Sequence, residues 1–103
     1  MNRNLAMLAA AGLIICTNAL GADTFAVAGS YGFDWTKPKK ARCERVTDTL
    51  QKRFKSCEFS ASGAFGLPLA YHSCALAAGG EMLLFRDRRE CGEALETMHA
   101  NAP

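Results

Sequence analysis

The residues best able to do chemistry in this chain are its cysteines, its two histidines and a late run of glutamates. Thiolates and imidazoles ligate metals, and an imidazole beside a nucleophile acts as a general base. Cys43, Cys57, Cys74 and Cys91 stand 14, 17 and 17 positions apart, so no C-x-x-C pair is present to start a zinc site. Their even number in a short chain fits two disulfides, provided the compartment is oxidising. His72 shares strand parity with Cys74, and with His99 the two would supply a metal- or small-molecule-binding module, which is the alternative reading of the chain. A mid-strand histidine is more often packed or half-exposed, and His99 near a helix C-terminus is well placed for the helix dipole. Glu90, Glu93 and Glu96 step by three along a helical stretch, where water keeps their pKa values together, so they read as a solvated face. No G-x-S-x-G elbow, Gly-rich phosphate loop or C-x-x-C-H motif occurs. These residues assign no catalytic site, no cofactor and no resident metal, and the expected protein is not an enzyme.

Compartment therefore decides how the cysteines are read. Arg3 is the only charged residue in the first 22 positions, and residues 5–15 form an apolar run too short to span a bilayer. Asn18 interrupts the run, and Gly21 and Ala22 offer small-residue cleavage positions, so residues 1–22 read as a secretory signal peptide. The competing readings are an uncleaved anchor and a lipoprotein acylated at Cys16. Ile15 sits where that second signal wants a small residue. Cleavage would remove Cys16 and leave about 81 residues with a formal charge of +1, against +2 for the whole chain. A balance so near neutrality argues neither for nucleic acid nor for an anionic membrane.

The elements that must position the cysteines follow from periodicity. Residues 23–36 carry Tyr31, Phe33 and Trp35 among glycines and read as an extended aromatic arm; residues 37–103 read as one domain. Thr36 and Pro38 look like a helix start, and Cys43, Val46, Leu50, Phe54 and Cys57 recur at helical spacing, which predicts a helix over 38–55. Residues 58–68 form a loop, with room for a short third strand at 57–60. Two apolar runs, 69–76 and 81–86, flank Gly79 and Gly80 and predict an antiparallel hairpin, with Leu83 and Phe85 facing one way and Met82 and Leu84 the other. Asp87 and Glu90 have capping-box spacing before a last helix that points Cys91, Ala94 or Leu95, and Met98 inward. The expected fold class is α+β: helix, hairpin, helix, with both helices on one face of a small sheet.

The predicted first helix would separate Cys43 from Cys57 by about 21 Å at 1.5 Å per residue, beyond disulfide reach. Two connectivities then remain. If 58–68 folds back, Cys57 and Cys74 become cross-strand neighbours and Cys43 meets Cys91, the favoured pairing. The other joins Cys43 to Cys74 and Cys57 to Cys91.

With Phe33-Asp34-Trp35, Pro38, Cys43, Phe54, Cys57, Phe65-Gly66, Cys74, Cys91 and the 93–98 ending in view, the chain resembles small four-cysteine exported proteins of Gram-negative bacteria. That group has no assigned activity. The resemblance implies periplasmic placement and carries over no functional residue. The functional expectation is a periplasmic or secreted domain acting by protein–protein contact, for instance as a hydrolase inhibitor. Its partner would be another envelope or extracellular protein, with no nucleic acid and no membrane after cleavage. Tyr31, Phe33 and Trp35 are the candidate contacts, and their alternative role is to staple the arm to the core.

Overall fold

The two apolar runs around residues 77–80 pair as antiparallel strands in the computed structural model, which describes residues 24–101. They are β4 (Tyr71–Leu76) and β5 (Glu81–Phe85). Gly79 and Gly80 take positive φ, +107° and +99°, which lets the reversal close with the Leu76 N–H donating to the Gly80 carbonyl at 3.0 Å. Around this hairpin stand β1 (Tyr31–Asp34), β2 (Glu44–Arg45) and β3 (Phe54–Ser60). The sheet is antiparallel throughout, in the order β2-β1-β5-β4-β3. Two short helical turns, Pro38–Lys40 and Ala64–Gly66, and the single turn α1 (Asp48–Gln51) decorate it, and α2 (Arg88–Asn101) closes the described chain.

β5 lies at the centre, and Met82, Leu83, Leu84 and Phe85 are all buried because both faces of the sheet are covered. Leu83 and Phe85 join Phe33, Ala64, Cys91, Ala94 and Met98 in one core, under α2 and the 61–69 loop. Met82 and Leu84 join Val46, Leu50, Cys74 and Leu76 in the other, under α1 and the segment bearing Val27. Strand alternation alone sends successive residues to opposite cores.

The architecture is α+β with two disulfides, but the helix expected over 38–55 does not form. Pro38 opens only a 3₁₀ turn, and the Thr36 hydroxyl and N–H bond the Asp34 carboxylate instead of capping a helix. The Val46 N–H donates to the Ser30 carbonyl at 2.8 Å, committing the backbone to pair across β1. Thr47 then caps α1, its hydroxyl accepting from the Leu50 N–H at 3.2 Å, and β3 begins at Phe54. The helical spacing of Val46 and Leu50 was real burial reached by a different path, against one face of the sheet. It follows that among the described residues only α2 is a long helix, and α1 and α2 lie on opposite faces rather than together.

The described part of the segment expected to be an extended arm, residues 24–36, is not peripheral throughout. Tyr31–Asp34 is an interior strand between β2 and β5, and residues 1–22, read as a signal peptide, lie outside the described residues. Gly32 makes this insertion possible: a Cβ there would lie 2.3 Å from the Leu83 carbonyl oxygen and 2.5 Å from Leu84 Cδ2. The first of those neighbours is backbone and cannot step aside.

Cys43, just before β2, bonds Cys91 on α2 (Cα–Cα 6.1 Å), and Cys57 bonds Cys74 directly across β3 and β4 (4.0 Å). Cys43 and Cys57 are far apart for a reason other than a helix: they belong to opposite edges of a five-stranded sheet, about 19 Å away at the usual strand spacing. In the chain-entropy account the two bridges contribute about 3–4 kcal/mol each. For so small a domain that is of the order of its whole expected stability. Gly32→Ala is expected to destabilise the fold by about 3 kcal/mol in denaturant unfolding, because overpacking here must move a central strand. A loss below 0.5 kcal/mol would mean that β1 does not approach β5 so closely.

Candidate functional site

Alternation along β1 sends Tyr31, Phe33 and the following Trp35 to the same face of the sheet, at different depths. Phe33 is wholly buried, its ring between those of Phe65 (6.2 Å) and Phe85 (6.0 Å). Tyr31 is half-buried under the Arg88 guanidinium, 4.8 Å from its ring centroid. Trp35 is 41% exposed, yet its orientation is fixed: the indole N–H donates to Glu81 Oε1 at 2.7 Å. The three aromatics read from the sequence therefore divide, one to the core, one to its margin and one to the surface.

Trp35 opens a groove of about 280 Å³ that it lines together with Phe65, Tyr71, Ser73, Glu81 and Leu83. Strand register assembles it: Phe33 pairs with Leu83 and Leu83 with Ser73, so side chains of one parity on three neighbouring strands make the floor. The 61–66 segment makes a wall, turning through Gly63 (φ +117°) and Phe65 (φ +54°). Phe65 is the only non-glycine residue among those described with positive φ, a strained state that its stacking on Phe33 holds in place.

Asp34 anchors the turn that presents Trp35. Its carboxylate accepts from the Thr36 N–H (2.9 Å) and hydroxyl, lies 3.5 Å from Lys37 Nζ, and receives the Glu81 backbone N–H. Burial pushes the Asp34 carboxyl up, but the Thr36 bonds, Lys37 and the Glu81 N–H together outweigh it, and its pKa falls below the ordinary aspartate value. Sequence reading passed over both Asp34 and Glu81. The available signal was parity: Glu81 shares a face with Leu83 and Phe85, where Trp35 arrives.

The other residues singled out lie elsewhere. His72 is on the opposite face, its Nε2 2.7 Å from the Phe25 carbonyl oxygen and its ring against those of Phe25 (4.6 Å) and Phe59 (5.2 Å). His99 Nε2 lies 2.9 Å from the Pro38 carbonyl oxygen, tying the end of α2 to the 3₁₀ turn. Cys74, the ligand suggested beside His72, is in a disulfide, and no group of three or more His, Cys, Asp or Glu among the described residues is placed to hold a metal ion. Asp87 caps α2 as its spacing predicts, accepting from the Glu90 N–H at 2.9 Å. Glu90 does not reach back; it is buried, with Oε2 3.6 Å from Arg86 and 3.7 Å from Arg89. It is thus no part of a solvated face, unlike Glu93 and Glu96. The chain matches no protein-family model, no curated protein and no solved structure.

A depressed folded-state pKa means that Asp34 adds stability at all pH values above its unfolded pKa of about 3.9, and that this contribution is lost as pH falls through the folded value. In thermal unfolding, the stability gap between the native chain and Asp34→Asn is expected to be constant above about pH 5 and to narrow below about pH 4. A gap that widens on acidification would contradict these assignments.

Proposed function

We propose that this chain is an exported, non-enzymatic domain that acts by contact with another protein of the cell envelope or exterior, through the face that carries Trp35. Two disulfides fit an oxidising compartment, and no helix among the described residues is long and apolar enough to cross a membrane. A signal peptide at 1–22 and the likeness to four-cysteine exported proteins are compatible with that placement.

The observation that carries the proposal is an exposed tryptophan already locked in position by Glu81. Tryptophan is among the residues that dominate binding energy at interfaces, and a side chain ordered before binding has less entropy to lose. The surrounding disulfides serve the same end by holding the scaffold rigid. Mature protein is expected to retain specific partners from a periplasmic extract, and Trp35→Ala to lose them while its unfolding midpoint stays within a few degrees. Recovery of the same partners by both proteins would make Trp35 structural and end this reading.

A further inference from the structure

The groove beside Trp35 has one charged lining residue, and it is an acid. Phe65, Tyr71 and Trp35 supply aromatic walls, Ser73 a hydroxyl, Leu83 an apolar floor and Glu81 the carboxylate. Glu58 pairs with Ser73, so a second carboxylate stands on the same face one strand further out. The lysines nearest in sequence to Trp35 (Lys37, Lys39 and Lys40) line other depressions on the surface.

Resting on the contact reading above, we propose that this groove receives the cationic head of an arginine or lysine side chain presented by the protein partner. Three features argue for a cation. Aromatic faces attract cations through their negative quadrupole, tryptophan most strongly, and arginine is the commoner guest. The indole N–H donates to an anion, which polarises the ring and enriches its face in electron density. Glu81 spends Oε1 on the indole and keeps Oε2, because a carboxylate accepts at about four lone-pair positions. At about 280 Å³ the groove falls just under the size of typical small-molecule pockets and suits one side-chain head better than a whole ligand.

The chain has a single tryptophan, so its emission reports on Trp35 alone. The probes are a glycine pentapeptide with a central arginine and the same peptide with citrulline, a neutral isostere of arginine. The arginine peptide is expected to produce a saturable change in emission, with citrulline binding at least about tenfold more weakly. Glu81→Gln keeps an acceptor for the indole N–H and removes the charge. It is expected to weaken the arginine peptide by about tenfold, and added salt to weaken it progressively in the native protein. Equal binding of both peptides, unchanged affinity in Glu81→Gln, or no saturable change with either peptide overturns the cation assignment. If that happens while Trp35→Ala still loses its partners, the contact reading stands without it. If the arginine peptide binds with the expected charge dependence while Trp35→Ala keeps every partner, the contact reading fails and the groove's cation chemistry survives.

Discussion

Everything in this molecule depends on covering β5 on both faces. Four consecutive side chains from Met82 to Phe85 point alternately into two cores, and fewer than eighty described residues must build both. A chain of that size buries too little apolar surface to hold two thin cores by packing alone. The disulfides meet the shortfall where it arises. Cys43–Cys91 clamps α2 and the β2 edge around the first core, and Cys57–Cys74 ties the opposite edge strand to the sheet, with Cys74 inside the second core.

The same constraint explains which parts of the fold were legible. The β4–β5 hairpin and α2 are local structures, each specified by its own turn glycines, alternation or capping aspartate, and nothing distant needs to be known to find them. Four apolar residues in a row within β5 require burial on both sides, whereas the expectation placed both helices on one face. The 38–55 segment was misread because helical spacing and contact with a sheet by way of a turn both place buried residues three or four apart. What settles the matter is the Val46 N–H donating to the Ser30 carbonyl and the bond from Cys43 to Cys91, and both are long-range. β1 was missed for a related reason. Glycine lowers strand propensity, yet Gly32 is in a strand because only a residue without Cβ fits under Leu83 and Leu84.

The site inherits its geometry from that misread strand. Because β1 is interior, Phe33 is sealed beneath two phenylalanine rings, and the chain emerges at Asp34 with one direction available to it. The Asp34–Thr36 turn and Glu81 then fix where Trp35 points. Sequence alone placed three aromatics in five residues and left core and interface as alternatives. Depth in the sheet divides them, and depth depends on partners more than thirty positions away.

The disulfide pairing is the sharpest test of this arrangement, since both bridges report on topology rather than on local structure. Proteolysis of unreduced protein followed by mass spectrometry of the linked peptides is expected to recover Cys43 joined to Cys91 and Cys57 joined to Cys74. Recovery of Cys43 with Cys74 and Cys57 with Cys91 would contradict it, because no sheet in the order β2-β1-β5-β4-β3 brings those pairs together.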